Sequence, residues 1–285
     1  MPSQIEITYD TPNQPRQLRI DSTSRCNAKC LSCHRHGCGR NGEMPAEMIV
    51  QILQDVSKWE PPLEEIVPVN YGELFCRKDW LWILQMIDNK LPKTSIVLPT
   101  NGTLIDDDVA KRLCEIQTLR LINFSINGFY NETYEAFTGL KAENLDKIFH
   151  AMQVIRTLRP DMQLRSSMVF DPSYMSNKER DYFTDLWRRN NVETWVLPAV
   201  SCGRKAKKVE IPRTAPCESI FKDIAIGYDG KLTTCCFDAS FSLDLDSYSG
   251  DLKKDWLNPK LQELREIHNN HQRQTIPLCK GCSHA

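Results

Sequence analysis

Apolar positions along this chain switch repeatedly between two spacings. Leu18-Arg19-Ile20 and residues 65–70, 95–98, 119–126, 162–170 and 194–197 carry the short apolar runs of buried strands. Between them apolar residues recur every three or four positions. Met48, Ile49, Ile52, Leu53 and Val56 share one face of a helix expected over 46–59. Asp79 is expected to cap a helix bearing Leu81, Ile83, Leu84 and Ile87, and Asp106 opens another with Val109, Leu113 and Ile116. Asn144 is expected to cap the helix with Leu145, Ile148, Phe149, Met152 and Ile155, and Ser176 with Glu179 reads as a capping box. Pro68 interrupts the second strand, because proline has no N–H to give to a sheet.

Six strand–helix units of this kind predict a parallel sheet with helices outside it, as an incomplete barrel or an open doubly wound sheet. Either way chemistry is expected at the C-terminal ends of the strands. The pattern changes near residue 200. Arg204, Lys205, Lys207 and Lys208 form a basic run read as a solvated loop, followed by a proline-containing stretch to Pro216. Residues 224–235 read as a hairpin turning at Asp229-Gly230, and Asn258-Pro259 starts a helix with Leu261, Leu264 and Ile267. The expected boundary separates residues 1–203, the strand–helix domain, from 204–285, too small a unit to rely on its own core and best explained by a metal staple.

Composition supports a globular chain: 285 residues, 41% hydrophobic and 26% charged, enough to bury a core. A net charge of −1 gives nucleic-acid binding no overall support. The N-terminus has no signal-peptide pattern and no apolar run is long enough for a membrane span, so a cytoplasmic protein is expected. Twelve cysteines change the picture. Without a secretory signal they read as metal ligands rather than disulfides. Cys26, Cys30, Cys33 and Cys38 lie at the front; Cys202, Cys217, Cys235, Cys236, Cys279 and Cys282 lie at the back. Cys114, on an apolar helix face, reads as a small buried hydrophobe. Cys26, Cys30 and Cys33 are spaced C-x3-C-x2-C directly after the first strand. Three thiolates ligate three irons of a [4Fe-4S] cubane and leave one iron open, and an open position marks a catalytic rather than a structural metal.

Those cysteines, with Asn70-Tyr-Gly-Glu-Leu-Phe75, Leu98-Pro-Thr-Asn-Gly-Thr-Leu104 and Ser125-Ile-Asn-Gly128, resemble the motifs of the radical S-adenosylmethionine (AdoMet) superfamily, in order and at successive strand ends over roughly residues 17–282. The resemblance implies a partial (β/α)6 barrel. It also implies an open iron that binds AdoMet, whose reductive cleavage to methionine and a 5′-deoxyadenosyl radical removes a hydrogen atom from substrate. Gly72 and Glu73 would border the methionine end, with Asn101, Ser125, Asn127 and Arg165 as further cofactor-binding candidates; Arg165 reads equally as a structural ion-pair residue. The chain departs from the family at Ser32, usually aromatic, and at Leu74, usually proline. Cys217-x12-Gly230-x4-Cys235 with Cys279-x2-Cys282 resembles the SPASM/twitch extension. It implies an α+β module with a second [4Fe-4S] cluster on Cys217, Cys235, Cys279 and Cys282, Cys236 being the alternative to Cys235.

The expected activity is a two-electron oxidation of a small sugar- or aminocyclitol-like molecule, or of a peptide, with the second cluster as electron acceptor and flavodoxin or ferredoxin as reductant. The alternatives are an epimerase or peptide maturase in which Cys202 returns a hydrogen atom, and a non-catalytic zinc- or iron-binding module. In the latter, zinc would be held by the front cysteines with Cys38, His34 or His36, or by the four distal thiolates.

Overall fold

The computed structural model describes residues 8–199 and 214–284, so the expected boundary at 203/204, the basic run and Cys202 lie outside the described residues. Six parallel strands run in chain order: β1 (Gln17–Ile20), β2 (Glu65–Val67), β3 (Ser95–Thr100), β4 (Leu119–Ser125), β5 (Gln163–Phe170) and β6 (Glu193–Pro198). The principal helices between them are α1 (Ala46–Val56), α2 (Trp80–Lys90), α3 (Asp107–Glu115), α4 (Asn131–Thr138), α5 (Asn144–Leu158) and α6 (Asn177–Arg189). Strand neighbours follow the order β6-β5-β4-β3-β2-β1, so of the two arrangements the alternation leaves open the chain adopts the partial barrel.

The sheet does not stop at β1. Strand β7 (Asp223–Ile226), entered from the short helix α7 (Ser219–Lys222), pairs in parallel with β1, Leu18 against Ile224 and Ile20 against Ile226. β8 (Leu232–Thr233) returns antiparallel to β7 through the expected turn, with Gly230 at φ +83°. The distal hairpin therefore extends the barrel sheet. Two helices, α8 (Leu252–Trp256) and α9 (Pro259–Asn269), complete the C-terminal part. The Trp256 indole is buried and donates to Pro12 O at 2.7 Å, tying this part to the N-terminal segment.

Several caps depart from expectation for identifiable reasons. Asp106 accepts from Val109 N at 2.9 Å and Asn258 from Lys260 N at 2.8 Å, as their positions predict. Asp79 makes no cap hydrogen bond, because its carboxylate grips the Arg77 guanidinium at 2.8 and 2.6 Å. Glu143 holds the N-cap position expected for Asn144. Ser176 caps α6, but Glu179 does not close the box: its buried carboxylate accepts from Phe129 N and Tyr130 N at 2.6 and 3.0 Å. Glu179 thus pins the turn leaving β4. β2 ends at Val67, before Pro68.

Leu18, Ile20, Ile66, Ile96, Leu98, Ile122 and Phe124 face the helices and are fully buried. The opposite face is polar. Asn123 aligns with Arg165 and Ser125 with Ser167, and residues paired in a ladder share a face. Among the described residues Arg19 Nε, Asp21 Oδ2 and Asn123 Oδ1 are buried without a protein partner.

Asp21, just past β1, is buried, and burial pushes its carboxyl up to about 7. A carboxyl pKa above its unfolded value means the folded state holds more protons, so stability falls as pH rises from about 4 through 7. Asp21→Asn is expected to remove that penalty. The variant should gain on the order of 4 kcal/mol over the parent at pH 8.5 and about 2 kcal/mol at pH 5. Anaerobic thermal unfolding at the two pH values checks this; an equal gap at both contradicts it.

Candidate active site and metal centres

The front cysteines sit on an excursion from the end of β1 whose neck is hydrogen-bonded shut. Met44 N donates to Ser22 O and Ser24 N to Gly42 O, at 2.8 and 2.9 Å, around an antiparallel bridge between Thr23 and Glu43. Buried Arg77 locks this neck from below, donating to Ser22 O at 2.6 Å and Met44 O at 2.9 Å.

Three further elements hold the loop. Lys29 N and Leu31 N donate to Thr138 O and Phe137 O, carbonyls left free at the C-terminal end of α4. Helix α4 is an element beyond those the apolar periodicity predicts. Its signals were Tyr134 and Phe137 one turn apart and Gly139, left-handed at φ +69°, just past its end. Asn27 meets the β3 end through Thr103 Oγ1 and the Asn101 amide, both at 2.8 Å. On the third side Glu73 N donates to Arg25 O at 2.8 Å. Gly72 lies so close that a Cβ there would stand 2.1 Å from Thr23 O and 2.7 Å from Arg25 O.

The sequence-identified residues divide into two groups around this loop. Glu73 is buried, and both of its carboxylate oxygens are engaged, by Thr100 Oγ1 at 3.0 Å and Asn101 N at 2.7 Å. Burial raises it to about 7, against the pull of those hydrogen bonds. Glu73 thus fastens the end of β2 to the end of β3. The Asn101 amide also approaches Cys26 Sγ, at 3.9 Å. Asn127 accepts from Val169 N at 2.8 Å through Oδ1, and its side chain lies near Cys30, where it favours the thiolate. Ser125 lies on the polar face of β4, with Asn123 between it and Ser167. Arg165 is apart from this group: it pairs with Glu193 at 2.9 Å and stacks on the Trp195 ring, 3.5 Å from its centroid.

Burial pushes the Cys26 thiol up to about 12 and the Cys30 thiol up to about 11. Thiols in such a place ionise when a cationic metal centre supplies the counter-charge.

The distal cysteines converge although 65 residues separate the first from the last. Cys217, Cys235, Cys236, Cys279 and Cys282 line one cavity of about 40 Å³, roughly three times the space one water needs. His268 and Arg273 also belong to its wall. Cys217 N donates to His268 Nδ1 at 3.0 Å, and His268 Nε2 lies 3.8 Å from Cys279 Sγ. Burial lowers His268 to about 4, so the imidazole is neutral. Burial pushes Cys279 up to about 12. Both Cys235 and Cys236 face the cavity, so its geometry does not choose between them. Among the described residues no three His, Cys, Asp or Glu side chains gather tightly enough for one ion. A lone zinc needs its thiolates about 2.3 Å from a single point, whereas cysteines spread around a cavity match the donor set of a cubane.

The two cysteine groups are neighbours. The ring of Phe237, next to Cys236, packs on His34, next to Cys33, with centroids 5.1 Å apart, and on His284 at the same distance. The hydroxyl of Tyr71, beside Gly72, donates to Cys235 O at 3.2 Å.

Known proteins resemble this chain in sequence and in fold. The family model of the radical SAM superfamily matches residues 20–170, and that of SPASM, an iron–sulfur cluster-binding domain, matches 217–283. A probable GTP 3′,8-cyclase of Methanosarcina mazei is 33% identical over 141 residues, 47% of this chain and 40% of that protein. The tungsten-containing aldehyde ferredoxin oxidoreductase cofactor-modifying protein of Pyrococcus furiosus is 25% identical over 153 residues, 52% and 42% of the two chains. The chain thus matches about two-fifths of the length of these relatives. Among solved structures, BtrN in complex with AdoMet and 2-DOIA superposes with a TM-score of 0.62 at 14% identity, over 98% of this chain and 95% of that one. Streptococcus suis SuiB bound to its precursor peptide SuiA gives 0.64 at 13% identity, over 90% and 67%. At such identities the likeness is one of fold. No helix among the described residues is long and apolar enough to cross a membrane. With the family match spanning more than half of its length, the chain belongs to the radical SAM superfamily: it is a radical SAM enzyme with a C-terminal SPASM iron–sulfur domain.

Proposed function

We propose that this enzyme oxidises a small polar molecule by two electrons, with a cluster held by the distal cysteines as acceptor of the second electron. The observation that carries this reading is the packing of Phe237 between His34 and His284, which sets the distal cysteine cavity directly against the front cysteine loop. An electron left on a substrate at the barrel mouth then has a short route away. Bound at the front loop, a [4Fe-4S] cluster and AdoMet supply hydrogen-atom abstraction. The protein contributes position and exclusion of water. Cys26, Cys30 and Cys33 would hold three irons of that cluster, with Asn101 beside Cys26 and Asn127 beside Cys30, and Gly72 with Glu73 would shape the turn that receives the methionine end. The polar barrel face with Arg19, Asp21, Asn123, Ser125 and Ser167 favours a substrate rich in hydroxyl or amino groups, since its buried unpartnered atoms need hydrogen-bonding partners. Arg165 serves the barrel wall through Glu193 and Trp195. A small redox protein such as flavodoxin or ferredoxin supplies the first electron.

In the test, anaerobically reconstituted enzyme is reduced with AdoMet present and offered deuterated aminocyclitols, amino sugars and short peptides. Deuterium is expected in 5′-deoxyadenosine together with a ketone or aldehyde product from a small polar substrate. Cys279→Ala/Cys282→Ala should still form 5′-deoxyadenosine but lose the oxidised product at least tenfold. Full oxidation by that variant, or turnover of peptides alone, contradicts the reading. Of the adjacent pair, Cys235→Ala is expected to lower iron by about four per chain and Cys236→Ala to leave it unchanged, measured by iron analysis; the reverse result assigns the ligand to Cys236.

A further inference from the structure

We propose that His268 is a positioning residue that raises the reduction potential of the distal cluster through an N–H···S hydrogen bond to Cys279. This rests on the distal cysteines holding a cluster, and it assigns a control on that cluster to a residue outside the cysteine motif.

His268, on the last turn of α9, is buried and meets two cysteines at once. The tautomer follows from geometry alone. Nδ1 receives the backbone N–H of Cys217 at 3.0 Å, so it is unprotonated and the ring proton belongs to Nε2. Nε2 lies 3.8 Å from Cys279 Sγ, within reach of an N–H···S bond, so it is the donor and the sulfur the acceptor. The ring therefore braces the strand-entry loop carrying Cys217 against the C-terminal loop carrying Cys279.

A hydrogen bond to a cluster thiolate withdraws electron density from it. The benefit is larger when the cluster has gained an electron, because the sulfur is then more negative, so the bond favours the reduced state. Buried Arg273, in the same wall, acts in the same direction with its guanidinium held by Cys282 O and His284 O at 3.4 and 2.6 Å. Both suit a cluster that accepts an electron.

The test uses full-length protein with Cys26, Cys30 and Cys33 replaced by alanine, so that the distal cluster alone is observed in an EPR-monitored potentiometric titration. Iron near four per chain in this background verifies the cluster reading separately from the role of His268. In the same background, His268→Leu is expected to make one-electron reduction about tenfold less favourable, a fall of about 59 mV. His268→Gln keeps an acceptor for Cys217 N and a donor for Cys279, and should restore most of the potential. An unchanged potential in His268→Leu with full iron overturns the proposal. If His268→Leu loses its cluster, protein labelled with 15N-histidine decides. Pulsed EPR of the reduced cluster should show a weak nitrogen coupling that disappears in His268→Gln, and its absence overturns the proposal.

Discussion

Gly72→Ala is expected to lower 5′-deoxyadenosine formation by at least a hundredfold while leaving the distal iron in place. The added methyl would stand 2.1 Å from Thr23 O and 2.7 Å from Arg25 O. Both oxygens belong to backbone and cannot swing aside as a side chain would. Relief requires the β2 turn and the cysteine loop to part by on the order of an ångström, and misplacement on that scale costs about 10²-fold where reacting groups must be aligned. The same shift breaks the Glu73 N to Arg25 O hydrogen bond and drags Glu73 from Thr100 and Asn101. Stability should fall by about 2–4 kcal/mol, because overpacking here meets rigid backbone and loosens a buried carboxylate. Product analysis by chromatography and anaerobic unfolding measure the two effects; a variant with more than a tenth of parental activity contradicts the close packing assigned to this turn.

The second large effect belongs to the front cysteines. Replacing Cys26, Cys30 and Cys33 together with alanine is expected to abolish AdoMet cleavage and to remove about four irons per chain, leaving about four at the distal site. The fold should survive. The neck at Ser22–Ser24 and Gly42–Met44, the Arg77 hydrogen bonds and the docking on α4 are made by backbone and by residues other than these cysteines. Circular dichroism should therefore be close to that of the parent while 5′-deoxyadenosine is undetectable. Residual cleavage above background, or loss of nearly all iron, would contradict the independence of the two sites.

The features legible in the sequence are those with a local signal. Strand and helix periods placed the six units, and the front cysteine loop, the Gly72–Glu73 turn and the Asn101 turn fall at the strand ends where alternation put them. Pairing of β7 with β1 left no such trace, because some two hundred residues separate the partners and neither strand's apolar pattern specifies its neighbour. Helix α4 escaped because it is eight residues long and lacks a side-chain cap, yet its carbonyls hold the cysteine loop. Glu179 and Asp79 carried cap signatures but were recruited by tertiary partners, Phe129 and Tyr130 backbone in one case and Arg77 in the other. His268 gave no signal, since a lone histidine on a helix becomes informative only when folding sets Cys217 on one ring nitrogen and Cys279 on the other.

The central claim is one cysteine site with an iron open to AdoMet and a second site closed to it. The EPR spectrum of the reduced, reconstituted wild-type protein, recorded with and without AdoMet, tests it most directly. AdoMet is expected to alter one part of the signal, the part lost in the Cys26, Cys30 and Cys33 variant, and to leave the remainder unchanged. A spectrum that AdoMet does not alter at all, or alters equally in that variant, would contradict it.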